Sequence, residues 1–357
     1  MKFLIIDDLK FNYSSIAPLR SQVDVRAGIL KLRQKIEGYL NVEEVHLIID
    51  SKLEEIYKER HNDKVINELP AGDVCLLNSR IKIDEAVAEI ILAQKLNSVY
   101  YNDSNEFVSL KINNPTSKKL DSNSFCEIDL ASFTRENKTL DLWDSIAEIV
   151  VANSQLIEQD FQDFFYDKDN FCETEQGVTV INPYNVWIGE GAVLKHGTVL
   201  DASAGSIVID EGCEIGLNCT IEGPVYIGKN CVVKALTSIR SGVSIGKGSE
   251  IAGEIADTII QGYCTKPFKG TLNRCYVGEW TKFEAGISLD SNFFEADSIT
   301  IIRDYSLSFL INNSSAESIC QYQEMRRSKL EAMKFDKNIG LSNLEQTLLK
   351  KYLNEEI

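Results

Sequence analysis

Branched aliphatic residues recur at every sixth position from Ile209 to Ile251, through Ile215, Ile221, Ile227, Val233, Ile239 and Ile245, without a break. An α-helix of about 3.6 residues per turn would scatter such residues round its whole circumference, whereas a flat-sided coil of short parallel strands brings each to the same inward corner. Cys213, Cys219, Cys231, Thr237, Val243 and Ser249 stand two places before an aliphatic. They are small enough for the second inward position of a short strand. Gly216, Gly228 and Gly246 follow aliphatics directly, where the corners turn. The pattern is the hexapeptide signature of a left-handed parallel β-helix. Weaker rungs at Ile188, Leu194 and Leu200, and at Val277, Phe283 and Leu289, set this domain at residues 177–290. The register slips between Leu200 and Ile209 and again between Ile251 and Val277, so loops are expected to leave the coil there. Loops on a rigid scaffold are where function collects.

Before the coil the pattern changes to alternating apolar runs and amphipathic stretches. Strands are predicted at 2–6, 45–49 and 74–77, and helices at 27–39, 51–59 and 83–94, which gives an α/β domain over residues 1–139. Leu142, Ile146, Ile149, Val150 and Leu156 then fall at helical spacing, in a connecting helix and linker over 140–176. After the coil, residues 291–357 are expected to form a helical cap, with amphipathic helices at 316–333 and 342–352 closing the last turn. The fold class is therefore α/β plus all-β.

With 357 residues and 44% hydrophobic content the chain can bury more than one core. A net charge of −17 disfavours nucleic acid and anionic membranes as partners. Residues 1–8 run from a short apolar strand straight into two aspartates, unlike a signal peptide, and no apolar stretch reaches membrane-spanning length. The nine cysteines are an odd number, which fits reduced thiols in a cytoplasm. Cys213, Cys219 and Cys231 occupy equivalent inward positions without a CxxC pair or a neighbouring His, so core packing is expected of them rather than metal binding.

The order of an α/β domain, a connecting helix and a hexapeptide coil resembles GlmU-like proteins, sugar-phosphate nucleotidyltransferases fused to a left-handed β-helix acyltransferase. The runs that carry the resemblance are IAPLRSQVDVRAGILKLRQKIEGYL at 16–40, LDASAGSIVID at 200–210, IEGPVYIG at 221–228 and GYCTKPFKGTLNRCYVGEW at 262–280. In that family the last run carries a Lys-x-His-x-Gly pattern, the lysine suited to an anionic sugar phosphate and the histidine to deprotonating an attacking amine. Lys266 and Gly270 match, and Phe268 stands at the histidine position, where a phenyl ring accepts no proton. Further on, KFEAGISLD keeps only Ala285 and Gly286 of the family's stretch after the tryptophan. The family's Gly-rich phosphate loop after the first strand is replaced by Asp7 and Asp8, with no glycine before Gly28. Asn78 stands where the family has a metal-binding aspartate.

The chain has three histidines. His46 and His61 fall in a strand and at a helix end, while His196, on the coil, is the one candidate to face a cleft. Lys266, Lys269, Arg274 and Arg240 form the densest basic group and are candidates to hold an anion, with charge pairing to Glu254 and Glu279 as the plainer alternative. Tyr263, Tyr276 and Trp280 are candidates to stack on a sugar or base, or to pack the loop. Cys264 or Cys275 as a nucleophile is a third path, although neither has an activating base nearby in sequence.

The resemblance implies a transferase and leaves both acyl-CoA and Mg2+ open as cofactors. The substrate expected is a phosphorylated or nucleotide-linked sugar or a similar small anion, with acyl-type transfer at the coil loop and a base other than histidine, Glu254 or Glu279, while His196 is a further catalytic candidate. A homotrimer follows by analogy. The other reading is a catalytically silent binding or scaffold protein that has kept the fold and lost both family activities.

Overall fold

The computed structural model describes residues 1–308 except 12, 14, 15, 18, 43, 44, 169, 171–175, 286, 291–298 and 303–306. The chain divides into two compact units. The first comprises Met1–Val25 and Leu30–Ser145, and the second comprises Arg26–Ile29 and the described chain from Ile146 onwards.

The first unit is built on a seven-stranded sheet. Its order is Thr134–Asn137, Ser98–Tyr101, Phe107–Asn114, Gly72–Asn78, Lys2–Ile6, Val45–Ile48 and Val65–Ile66. All neighbours pair in parallel except those of Phe107–Asn114, which runs antiparallel to both sides. The run KFLII is almost continuously apolar because a central parallel strand is covered on both faces. Leu4, Ile6, Ile48, Leu76, Val99 and Leu110 form the core on one side. Since Ile6 lies opposite both Ile48 and Asn78, the strand ends bring Asp7, Asp8 and Asn78 to one edge. That carboxyl edge is where open α/β sheets bind ligands. Helices α1 (Leu32–Leu40), α2 (Glu54–Arg60), α3 (Glu85–Leu92) and α4 (Ser122–Cys126) complete the unit. Helix α1 starts later than its apolar periodicity predicts, because Gly28 turns at φ +80° and Lys31 is still extended.

In the second unit each turn of the coil gives one strand to each of three stacks of seven parallel strands. The six-residue period appears as register. Ile215 pairs with Val233 and Val233 with Ile251, while Ile209, Ile227 and Ile245 align in the second stack and Leu200, Ile221 and Ile239 in the first. All are buried, and an aliphatic side chain wholly removed from water contributes roughly 1.5–3 kcal/mol. The small inward residues also hydrogen-bond. Cys213, Cys231 and Cys264 donate their thiols to the carbonyls of Gly228, Gly246 and Gly278 at 3.1–3.2 Å, and Ser249 and Thr281 donate to Gly246 and Gly278 at 2.9 Å. Each thus satisfies a carbonyl at a corner of the coil.

The expected departure of a loop between Ile251 and Val277 is corrected by the structure. Glu254–Ala256, Ile259–Ile260, Thr265–Lys266 and Thr271–Asn273 are strands of the same three stacks. Ile245 pairs with Ile260 and Ile251 with Lys266, fifteen positions on rather than eighteen. A corner turned at Gly253, with φ +94°, shortens the turn while Ile255, Ile260, Lys266 and Leu272 keep the inward places. The earlier slip adds residues at the corner before Ile207, where the Glu158 carboxylate accepts from the Ser206 hydroxyl at 2.9 Å and from its N–H.

Helix α5 (Ile146–Phe164) lies over the second stack and is tied to it by Asn153, whose side chain donates to Gly242 O at 2.8 Å and Ser244 Oγ at 3.1 Å. The outward residues of that stack, including Val208, Tyr226, Ser244, Ile259 and Tyr276, are buried as a result. The outward residues of the first stack remain open to solvent in part, as at Thr220, Glu222 and Glu254. Thr300–Ile302 and Leu307–Ser308 extend the second and third stacks beyond residue 290. The helices expected at 316–333 and 342–352 lie outside the described residues.

Candidate functional site

Two of the places where polar side chains gather among the described residues, one in each unit, bear on the chemistry expected from the sequence. The first is the carboxyl edge of the α/β sheet. Asp7 follows the central strand and is buried, with Oδ1 accepting from Leu9 N at 2.8 Å and Oδ2 from the Ser21 hydroxyl at 2.5 Å and Gln22 N at 3.2 Å. Burial pushes its carboxyl up to about 6 against the lowering effect of these donors. Asp8 is held differently. The Arg80 guanidinium grips it through Nε at 3.0–3.1 Å and Nη2 at 2.7 Å, Gln22 Nε2 donates at 2.8 Å and Asn78 Nδ2 at 2.9 Å. Burial would raise the Asp8 carboxyl, but the hydrogen bonds and charge of Arg80, with Gln22 and Asn78, outweigh it and hold the carboxyl below its ordinary value. Arg80 itself is buried, with Nη1 on Trp143 O at 2.6 Å and Nη2 also on Glu106 at 3.0 Å.

This edge does not fit Mg2+. Asn78 turns its amide nitrogen toward Asp8 and Phe107 O, while its single side-chain oxygen accepts from Arg80 N at 3.0 Å. A hard cation needs oxygen ligands converging on one point, and here a guanidinium occupies the carboxylate that would lead. Among the described residues no group of three His, Cys, Asp or Glu side chains is placed to hold a metal ion.

The second place is a cleft of about 330 Å³ on the outer face of the first stack, lined by Arg240, Glu254, Thr271, Asn273, Ser288 and Asp290 among others. Strand pairing puts it together, since Glu254 lies opposite Thr271, Ala256 opposite Asn273 and Asn273 opposite Asp290. Arg240 Nη2 is 4.0 Å from Glu254 Oε2, both side chains being more than half exposed. Asn273 donates to Asp290 Oδ1 at 3.0 Å, and its own Oδ1 is buried without a hydrogen-bond partner. The cleft therefore offers one cation and two carboxylates.

Of the residues singled out in the sequence, Arg240 and Glu254 meet in this cleft, and the others lie elsewhere. Lys266 is turned inward and is 2% exposed, its ammonium donating to the carbonyls of Ala252 at 2.6 Å, Gly270 at 2.8 Å and Phe268 at 3.2 Å. The expectation that it captures an anion is corrected by that geometry, because its donors already meet the corner's carbonyls. Burial lowers its pKa to about 8. Lys269 is exposed and Arg274 half-buried, and neither lines the cleft. Glu279 is buried, which takes it away from a solvent-open reaction. His196 is exposed on a corner, with Nδ1 2.8 Å from Gln176 O. Tyr263 stacks on Trp280 with ring centroids 4.3 Å apart and planes 4° apart, and Tyr276 is fully buried on the second stack. The three aromatics pack the coil. Cys264 and Cys275 are both buried away from solvent, and burial pushes the Cys275 thiol up to about 12, against a role as nucleophile.

Sequence reasoning missed Arg80, Gln22, Asn273 and Asp290. Arg80 lies two residues beyond Asn78 in the run LLNSR, a visible signal, whereas Asn273 and Asp290 become neighbours only through the register of the coil.

Residues 8–167 match the family model of sugar nucleotidyl transferases. The chain carries a sugar nucleotidyl transferase-like domain at its N-terminus. No curated protein matches the sequence. Solved structures similar to this chain include a putative acetyltransferase from Bacillus cereus, at 14% identity over 47% of this chain and 92% of that one with a TM-score of 0.19. A mutant of the N-acyltransferase AntD from Bacillus cereus, in complex with dTDP and coenzyme A, shares 13% identity over 43% and 87% with a TM-score of 0.15. The acetyltransferase domain of PglB from Neisseria gonorrhoeae shares 12% over 86% and 95% with a TM-score of 0.20. The sugar nucleotidyl transferase-like domain is followed by the three-stack β-helix-like coil, and no helix among the described residues is long and apolar enough to cross a membrane.

Proposed function

We propose that this protein is a transferase acting on a phosphorylated or nucleotide-linked sugar, with acyl-type transfer in the cleft on the first stack. One observation carries the reading: Arg240 and Glu254 stand 4.0 Å apart, both open to solvent, in a cleft that Asn273 and Asp290 also line. Arg240 binds the anionic group and Glu254 takes the proton of the attacking group. A bound acyl-CoA would supply the activated acyl group. The exposed position of Glu254 keeps its carboxylate available as a base in a way the buried Glu279 is not. The proposal includes a cytoplasmic homotrimer.

Thermal shift and turnover against UDP-sugars, sugar phosphates and acyl-CoAs test it. We expect stabilisation by a sugar phosphate or UDP-sugar, with turnover when the acyl donor is present. Glu254→Gln is expected to lower kcat by about 10²–10⁴-fold with little change in binding, and Arg240→Ala to weaken binding. Turnover undiminished in Glu254→Gln would remove it as the base. A second reading, a binding or scaffold protein without catalysis, is favoured by the closed Asp8–Arg80 pair and by the carbonyl contacts of Lys266. It requires ligand binding or no binding, and no turnover.

A further inference from the structure

We propose that Arg80 is a built-in cation standing where a divalent metal would be held at the carboxyl edge of the α/β sheet, so that this domain has no use for a metal ion there. Asp8 and Glu106 both reach the Arg80 guanidinium, at 2.7 and 3.0 Å, and Lys10 lies 3.8 Å from Glu106. The guanidinium is fixed on its remaining side by Trp143 O and lies 5.8 Å from the Phe11 ring centre, and the residue is 2% exposed. A rigid, buried fork of this kind cannot swing aside as a surface lysine would.

The neighbouring groups have turned to suit the guanidinium. Gln22 gives one amide hydrogen to Asp8 and the other to Ser79 Oγ at 2.9 Å, and Asn78 gives both of its own to Asp8 and Phe107 O. Asp8 is thus ringed by donors, which is the environment of a carboxylate paired with nitrogen rather than with a metal. A divalent ion approaching Asp8 would meet the positive guanidinium at contact distance and would have to displace these N–H groups. Any phosphate-bearing ligand of this domain is therefore bound without a bridging metal ion at Asp8.

Uptake of Mn2+ by the full chain, followed by the electron paramagnetic resonance signal of the free aquo ion, tests the inference. The natural chain and Arg80→Lys, which keeps a cation, are expected to leave the free-ion signal unchanged at millimolar metal. Arg80→Met is expected to take up one Mn2+ per chain, and Asp8→Asn combined with Arg80→Met to lose it. Uptake by the natural chain that disappears in Asp8→Asn would overturn the proposal. So would an Arg80→Met chain that keeps the natural circular dichroism spectrum and yet binds no Mn2+. If Arg80→Met does not fold, the comparison of the natural chain with Asp8→Asn decides alone. None of these outcomes depends on the transfer reaction proposed for the coil.

Discussion

Lys266 sits in the inward column of the third stack, opposite Ile251, in line with the apolar side chains of Leu194, Ile215, Val233 and Phe283 on other turns. Its ammonium is held by three carbonyls, yet burial still lowers its pKa from 10.5 to about 8. In the unfolded chain the amine keeps its proton up to its ordinary value, so between about pH 8 and 10.5 the unfolded state binds the extra proton. The stability contributed by this residue therefore rises as pH rises through that window, and the charged form is the costly one at neutral pH. Lys266→Met is expected to lose roughly 1–3 kcal/mol at pH 9, because corner carbonyls lose their donor. Urea midpoints of the two proteins should draw apart between pH 7.5 and 10, with the natural chain gaining. Parallel curves would show that the amine does not titrate in this range. That the sequence singled out Lys266 but misplaced it has a physical cause: basic residues near a register break read as a cluster, and their directions depend on corner lengths that sequence does not display. Arg80 and Asn273 went unread for a related reason, since their roles rest on hydrogen bonds to Asp8 and Asp290, far away in the chain.

At the scale of the element, what was legible was whatever is strictly periodic. The eight aliphatics from Ile209 to Ile251 fixed the inward columns, because two inward places and a corner leave little freedom in a six-residue edge. The parallel strands of the first unit were equally visible as apolar runs covered on both faces, KFLII being the clearest. Between Ile251 and Val277 the columns persist while the corners change length, so a reading by fixed period sees a break where the stacks are continuous. Corners are the sensitive points. A methyl group added at Gly246 would run into the backbone carbonyl of Gln261 on the next turn and close on Gly262 Cα at 2.9 Å. Backbone cannot rotate away as a side chain does, so Gly246→Ala is expected to cost at least the roughly 1–3 kcal/mol typical of overpacking. Chemical denaturation followed by circular dichroism measures this. A loss below a few tenths of a kcal/mol would mean that the turns at this corner can slide apart.

For the whole molecule, the proposed trimer depends on which faces of the coil are open and on how much charge three chains bring together. The second stack is covered by α5, leaving the outer faces of the first and third stacks and the corner between them. On that corner Leu217 and Leu236 stand on successive turns, joined by a hydrogen bond from Leu236 N to Leu217 O, and are 47% and 61% exposed. Phe268 stands on the same corner farther along and is 50% exposed. Apolar side chains repeated along one solvent-exposed edge favour burial against another chain. Each chain also carries a net charge of −17, so association sets like charges against the burial of that edge. Screening weakens the repulsion and leaves apolar burial almost untouched, so the assembly is expected to tighten as salt rises from 0.05 to about 0.5 M. Light scattering after size exclusion should give three chain masses for the natural protein and one for Leu236→Glu, which adds a further negative charge to each copy of the edge. A Leu236→Glu chain that remains trimeric at low salt would place the contact on another face, and dissociation on adding salt would mean that ion pairs, rather than this apolar edge, hold the copies together.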